Sequence, residues 1–123
     1  MKRVLVVDDA PTVRMYHKKI LKDAGFEVDE AVNGLEALEK ALMNEYNLYV
    51  VDINMPKLDG YSFVKRLRAS AEVKQAPVIM VSTEAEEKDK ELSYEAGANF
   101  YLVKPVKPED LIKYAKIFTG VGL

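Results

Sequence analysis

Cysteine and tryptophan are absent from the 123 residues of this chain, and histidine occurs once. Without cysteine the chain cannot form a disulfide, use a thiol as a nucleophile or bind a metal through sulfur. No run of about eighteen apolar residues is present, so the sequence predicts no membrane span. The first residues, MKRVLVVDDA, lead into charges and lack the small-residue cleavage site of a secretory signal. These absences favour a cytoplasmic protein.

An excess of positive charge is also missing. The chain has 18 basic and 20 acidic residues, a formal net charge of −2. Because a protein that binds nucleic acid needs a basic footprint, we expect no direct contact with nucleic acid. Hydrophobic residues make up 49% of the chain, and its length suits one core. We therefore expect a single domain over residues 1–123, in which residues 119–123 form a short tail.

Apolar runs alternate along the whole chain with segments of helical periodicity. Five runs predict strands, at residues 3–7, 27–31, 48–52, 77–82 and 100–103. Between these runs, apolar residues recur three and four positions apart, which predicts amphipathic helices with one inward-facing stripe each. The predicted stripes are Val13, Tyr16, His17, Ile20, Leu21 and Ala24, then Leu35, Leu38, Ala41 and Leu42, then Phe63, Val64, Leu67 and Ala71, and, in a last helix over residues 107–118, Leu111, Ile112, Ala115 and Phe118.

Residues that favour helix ends bound two of these helices. Pro11 fits the first turn of the first helix, and Gly25 fits its end. Thr83 and Glu86 have the spacing of a capping box, which places Thr83 at the start of the fourth helix. Gly97 is expected near the end of that helix.

The elements form a strand–helix pair repeated five times. Helical crossovers of this length connect parallel strands, and strands covered on both faces are almost continuously apolar. The second strand, EVDEA, is the exception, and its half-polar composition is typical of a sheet edge. We therefore expect an α/β fold with an open, doubly wound parallel sheet in three layers.

Polar side chains follow four of the five predicted strands at the point where each strand ends. Asp8 and Asp9 follow the first strand, and Asp52 ends the third. Ser82 ends the fourth strand, and Lys104 follows the fifth. Because the carboxyl ends of parallel strands meet at one edge, where ligands bind, we expect these side chains to form one site.

The residue types in this set suit phosphoryl chemistry. Three carboxylates in one cleft raise one another's pKa values unless a cation neutralises them, and oxygen ligands favour Mg²⁺. A carboxylate can also attack phosphorus and form an aspartyl phosphate. Lys104, Ser82 and backbone N–H groups after Asp52 would then supply donors for the phosphoryl oxygens. The set therefore predicts a site that accepts a phosphoryl group.

Four segments together resemble the receiver domain of two-component response regulators. They are VVDD, VDINMPKLDG, VIMVSTEA and YLVKP, each at the end of a different predicted strand and at the spacing of that family. The resemblance covers essentially the whole chain. It implies the flavodoxin-like strand order 2-1-3-4-5 and a stand-alone, CheY-like type without an attached effector domain.

The resemblance also implies a metal site around the phospho-acceptor. Asp52 is the implied phospho-acceptor and one of the residues at the Mg²⁺ ion. Asp9 is implied as a direct Mg²⁺ ligand and Asp8 as a ligand through water. The backbone carbonyl of Asn54 completes the implied protein ligands.

Further implied residues connect phosphorylation to an output. Ser82 and Lys104 would turn toward the phosphoryl group, Tyr101 would be the switch aromatic, and the Lys104–Pro105 peptide bond would be cis. The implied phosphodonor is a histidine kinase or phosphotransfer protein. The output would be altered binding of a downstream protein target by the face of helix 4, strand 5 and helix 5. The implied protein is a monomeric switch of a chemotaxis-like or phosphorelay pathway, not a turnover enzyme, although it assists its own phosphorylation and dephosphorylation.

Other interpretations of the same residues stay open at this stage. Asp8 and Asp9 could cap the first helix, and Tyr94 and Tyr101 could form either a partner surface or ordinary packing. One alternative function is an interaction module that keeps the fold without being phosphorylated. Another is a Mg²⁺-dependent phosphatase that uses an aspartyl phosphate, although that class carries Asp-x-Asp after its first strand and this chain has Asp-Asp-Ala.

Overall fold

The computed structural model describes residues 1–122, which fold into five strands alternating with five helices. The elements are β1 Arg3–Val7, α1 Pro11–Asp23, β2 Glu27–Ala31, α2 Gly34–Met43, β3 Leu48–Asp52, α3 Gly60–Ala69, β4 Val78–Ser82, α4 Glu87–Ala96, β5 Phe100–Val103 and α5 Pro108–Thr119. Leu123, the last residue of the predicted tail, lies outside the described residues. Helix α5 continues through Thr119, so the predicted tail begins one residue too early.

The strands form one parallel sheet in the order β2-β1-β3-β4-β5. This order confirms the expected doubly wound fold and places the half-polar β2 at an edge. Side chains alternate between the two faces of a strand, so Val4 and Val6 pack on the α1 and α5 side. Leu5 and Val7 pack on the side of α2, α3 and α4. The sheet is therefore covered on both faces.

Several predicted inward-facing residues are exposed in the structure. Helix α2 buries the small residues Ala37 and Ala41, while Leu35 and Leu42 are exposed. Tyr16 is also exposed, and Ala71 is exposed beyond the end of α3. Apolar spacing alone predicted that α2 faces the core with its leucines. The buried face is instead displaced toward Ala37 and Ala41, because α2 packs closely on the sheet and small side chains fit there.

The predicted capping box at the start of the fourth helix is wrong. Helix α4 begins at Glu87, and its N-cap is Glu86, whose side chain makes no capping hydrogen bond. Thr83 instead lies in the loop between β4 and α4. Over residues 1–122, no helix combines the length and apolar character that a membrane crossing requires.

Candidate functional site

The sheet order brings the predicted polar residues to one edge. Strands β1 and β3 are neighbours in the sheet, but the helices that follow them, α1 and α3, pack on opposite faces of it. Such a reversal opens a crevice at the carboxyl ends of the strands. Asp8 follows β1, and Asp52 is the last residue of β3, so these two carboxyl groups flank the crevice. The prediction that the strand-end residues converge is confirmed for this pair.

Lys104 joins the two carboxylates. Its Nζ donates hydrogen bonds to Asp8 Oδ2 at 2.8 Å and to Asp52 Oδ1 at 3.1 Å. The Lys104 backbone N–H donates to the carbonyl of Ser82 at 2.7 Å, which ties the end of β5 to the end of β4. The peptide bond between Lys104 and Pro105 is cis, as the resemblance implied. The two side-chain hydrogen bonds hold the ammonium group inside the crevice, facing both carboxylates.

Burial and like charge shape the acidity of the site. Desolvation, reinforced by the neighbouring Asp8 carboxylate, raises the pKa of Asp52 from 3.8 to about 6, although Lys104 opposes the rise. Burial lowers the pKa of Lys104, but its hydrogen bond to Asp8 and its attraction to Asp52 outweigh this effect, so the net direction is upward. Asp52 is therefore mostly ionised at neutral pH. Its pKa of about 6 is close enough to neutrality for a change in nearby charge to alter its protonation.

Asp9 adds a third carboxylate. One oxygen from each of Asp8, Asp9 and Asp52 lies within 4.8 Å of the others, and Asp9 is exposed. Three carboxylates facing one lysine leave an excess of negative charge, which a divalent cation can neutralise. Because all available side-chain donors are hard oxygens, the residues fit Mg²⁺. Asn54 follows Asp52 by two residues in the adjoining loop, and its side chain is exposed.

Capping of the first helix by Asp8 or Asp9 does not occur. The N-cap of α1 is Ala10, and no side chain caps this end. Asp8 Oδ1 instead accepts a hydrogen bond from the Ala10 N–H at 2.9 Å, within the turn itself. Both Asp8 oxygens are thus in use, one in the turn and one on Lys104.

Ser82 and Tyr101 meet at the loop between β4 and α4. Ser82 is buried, and its Oγ accepts a hydrogen bond from the Glu84 N–H at 3.1 Å. The Tyr101 hydroxyl donates to the Glu84 carbonyl at 2.7 Å. Tyr101 is only 7% exposed, whereas Tyr94 is 47% exposed on α4. Of the two interpretations of these tyrosines, Tyr101 fits packing, and only Tyr94 lies on the surface.

Residues that were not identified from the sequence fix the backbone of the turn after β1 and of the loop after β3. Arg14 Nη1 donates to the Asp8 carbonyl at 2.8 Å. Asp59 caps α3 by accepting from the Ser62 N–H at 2.8 Å, and the Gly60 N–H donates to the Ile53 carbonyl at 2.8 Å. Asp59, the N-cap directly before Gly60 at the start of α3, is a recognisable helix-start signal, but no linear pattern pointed to Arg14.

Comparison with known proteins identifies the family. The family model "Response regulator receiver domain" matches residues 4–116. The chain is 44% identical over 102 residues to a gliding motility regulatory protein of Myxococcus xanthus, a match covering 83% of this chain and 13% of that protein. The chain therefore belongs to the response regulator receiver domain family. It spans less than half the length of the curated relatives it matches.

Solved structures agree with this assignment. The chemotaxis protein CheY4 of Vibrio cholerae is 38% identical, with a TM-score of 0.90 over 96% of this chain and 98% of that one. The receiver domain of the sensor histidine kinase PA1611 of Pseudomonas aeruginosa is 29% identical, with a TM-score of 0.89 over 97% and 98%. That structure has a magnesium ion coordinated in its active-site cleft. Receiver domains are generally phospho-acceptor switches rather than turnover enzymes, and they bind Mg²⁺ at an acidic site.

Proposed function

We propose that this chain is a phosphorylation-controlled switch whose phospho-acceptor is Asp52. The observation that carries the proposal is the arrangement around Lys104 Nζ, which lies 2.8 Å from Asp8 and 3.1 Å from Asp52. A buried carboxylate at the end of a central strand is thereby held beside a cation and a second carboxylate. The crevice thus holds a nucleophile, Asp52, and the cation that pairs with it, Lys104, and it has carboxylates that can bind a divalent ion.

The proposed reaction is transfer of a phosphoryl group to a carboxylate. An Asp52 oxygen attacks phosphorus of a phosphohistidine, the P–N bond breaks, and the imidazole nitrogen keeps the electron pair and takes a proton. The pKa of about 6 leaves Asp52 ionised at neutral pH, as a nucleophile must be. The Lys104 ammonium then turns from the carboxylates to the new phosphoryl oxygens, which carry more negative charge.

We assign the metal site to Asp8, Asp9, Asp52 and the backbone carbonyl of Asn54. The exposed Asp9 would be the direct ligand, and Asp8 would bind the ion through water, since both Asp8 oxygens already accept hydrogen bonds. Bound Mg²⁺ supplies charge neutralisation for the phosphoryl oxygens. The protein's contribution is to hold the oxygens of the three carboxylates within reach of one another before the ion binds.

The proposed output runs through Ser82 and Tyr101. Ser82 Oγ now accepts from the Glu84 N–H, and on phosphorylation its hydroxyl donates to the phosphoryl group. That movement shifts the loop whose Glu84 carbonyl receives the Tyr101 hydroxyl. One local change in charge thus biases the face formed by α4, β5 and α5 between two packings, which alters the binding of a downstream protein target.

The phosphodonor in this proposal is a histidine kinase or a phosphotransfer protein. Beside Lys104, an apolar cavity of about 310 Å³ opens between α1 and the loop after β5. Val13 lines it on the α1 side and Val106 on the side of the loop. His17 lines this cavity, and burial lowers its pKa, so it is neutral at pH 7. The partner segment bearing the phosphohistidine would dock against this apolar wall. We further propose that the protein acts as a monomer in the cytoplasm.

Incubation with Mg²⁺ and acetyl phosphate, followed by intact-mass measurement, tests the proposal. The wild type should gain one phosphoryl group, and an excess of chelator should prevent the gain. Asp52→Asn should gain none. Asp23→Asn, an identical change at an exposed carboxylate 3.0 Å from Lys19, should behave like the wild type.

The alternatives give different results in the same experiment. No gain by the wild type, with the donor active on another receiver domain, would favour the unphosphorylated interaction module. Continuous release of phosphate from a stable phosphoester, at many turnovers per protein, would instead favour the phosphatase.

A further inference from the structure

Arg14 connects three parts of the structure behind the acidic crevice. Its Nη1 donates to the Asp8 carbonyl at 2.8 Å, and its Nε donates to Glu30 Oε1 at 3.0 Å. The Arg14 side chain is 14% exposed. Arg14 lies on α1, Asp8 in the turn after β1 and Glu30 on β2, so one guanidinium group joins a helix, a turn and a strand.

The carbonyl held by Arg14 belongs to the peptide between Asp8 and Asp9. The turn is fixed at two further points, because the Asp8 N–H donates to the Ala31 carbonyl at 3.1 Å and the Ala10 N–H donates to Asp8 Oδ1. Over residues 1–122, no hydrogen bond holds the Asp9 carboxylate itself. The direction of Asp9 is therefore set by the backbone, and Arg14 is the side chain that orients this peptide from outside the turn.

We propose that Arg14 is a positioning residue that sets the affinity of the acidic site for Mg²⁺ by holding the Asp8–Asp9 peptide. This inference rests on the proposed function, since it concerns the same metal site. Groups that orient metal ligands without touching the metal typically change affinity by about tenfold or more when removed.

Charge alone predicts the opposite result for Arg14. Removing a cation near three carboxylates makes the site more negative, which strengthens binding of a divalent ion. Lys18 separates the two effects, because its Nζ donates to the same Glu30 carboxylate at 2.7 Å but makes no hydrogen bond to Asp8. Lys18→Gln removes the same charge from the same cluster and leaves the held carbonyl intact.

The test is a Mg²⁺ titration of the wild type, Arg14→Gln and Lys18→Gln, followed by the amide NMR signal of Asp9. Arg14→Gln should raise the Mg²⁺ dissociation constant by about tenfold, and Lys18→Gln should leave it unchanged or lower it. Phosphorylation by acetyl phosphate supplies a second readout. The Mg²⁺ concentration for half-maximal rate should rise in Arg14→Gln by the same factor, while the rate at saturating Mg²⁺ stays close to that of the wild type.

Equal dissociation constants for Arg14→Gln and Lys18→Gln would overturn the inference, as would tighter binding by Arg14→Gln. If Arg14→Gln does not fold, Arg14→Lys carries the test with Lys18→Arg as its control. The single nitrogen of a lysine cannot occupy the positions of both Arg14 Nε and Arg14 Nη1, so Arg14→Lys should still weaken Mg²⁺ binding. Failure of the proposed function is distinguishable, because the wild type would then show neither Mg²⁺ binding nor a gain in mass.

Discussion

The Nζ of Lys104 lies 2.8 Å from Asp8 Oδ2, although 96 positions separate the two residues in the chain. The same nitrogen lies 3.1 Å from Asp52 Oδ1. One cation therefore balances two buried carboxylates, with Asp9 as a third nearby. The excess of negative charge destabilises the metal-free protein and favours binding of an added cation.

Asp52→Asn should stabilise the metal-free protein at about pH 7.5. A rise in pKa from 3.8 to about 6 corresponds to about 3 kcal/mol against the ionised folded state. Because this net rise already includes the opposing effect of Lys104, the neutral asparagine should recover most of that free energy. Urea unfolding in chelator measures this gain, with Asp23→Asn as the control.

The pH dependence of that gain has a definite sign. The pKa of Asp52 in the folded protein lies above its ordinary value, so the folded state binds the proton more tightly than the unfolded state does. The stability that the protonated carboxyl group contributes is therefore complete below pH 3.8 and is lost as the pH rises through about 6. The stability difference between Asp52→Asn and the wild type should therefore grow between these two values and stay level above them. A difference that shrinks with rising pH would contradict the account.

Lys104→Gln should destabilise the protein in chelator by about 3 kcal/mol, because it leaves two buried carboxylates without their cation. Mg²⁺ should then stabilise Lys104→Gln more than it stabilises the wild type. Thermal unfolding with and without Mg²⁺ measures both effects. Lys19→Gln, which removes only an exposed pairing with Asp23, should change neither. Equal stabilisation of all three proteins by Mg²⁺ would show that Lys104 does not share the metal's carboxylates.

Tyr101→Phe should cost about 1 kcal/mol of stability, because it removes the hydroxyl that donates to the Glu84 carbonyl. The ring remains buried, so the loss is confined to the loop between β4 and α4. Hydrogen exchange of the Glu84 amide, which donates to Ser82 Oγ, should become faster. Tyr94→Phe on the exposed side of α4 should not change it, and faster exchange in both variants would argue against a specific link.

Gly60→Ala should destabilise the protein by about 2 kcal/mol through overpacking. A Cβ at Gly60 would overlap the carbonyl oxygen of Asp52 and lie 2.8 Å from the Ile53 Cα. The backbone that carries the phospho-acceptor must then shift, so phosphorylation by acetyl phosphate should slow. Gly34→Ala is the matched control, since its Cβ would overlap the Leu58 carbonyl instead. It should destabilise similarly without slowing phosphorylation at a temperature where both variants are folded.

The fold was predictable because its signals are local and repeated. Strands β1, β3, β4 and β5 are short apolar runs, and each ends in a polar residue or is followed directly by one at the same edge of the sheet. The order of the strands was not derivable from periodicity and came from the family resemblance. Finer packing was not predictable either. Helix α2 presents Ala37 to the core and leaves Leu42 exposed because the available space, which depends on neighbouring elements, decides the buried face.

The site was predictable to the extent that its residues end strands. Asp8, Asp52 and Lys104 meet as expected. The contact of Arg14 with the Asp8 carbonyl was not predictable, since it joins a helix side chain to a backbone atom and leaves no mark on residue spacing. The start of α4 was mispredicted because threonine is a favoured N-cap residue, and Thr83 has a glutamate three positions later. In the structure the N-cap is Glu86, and the Glu84 N–H in the preceding loop donates to Ser82 Oγ.

The most direct test of the central claim is to locate the phosphoryl group chemically. Reduction of the phosphorylated protein with borohydride converts an aspartyl phosphate to homoserine, which peptide mass spectrometry assigns to one position. We expect homoserine at Asp52 alone, the assigned phospho-acceptor. Homoserine at Asp8 or Asp9, or phosphate retained on Ser82, would contradict it.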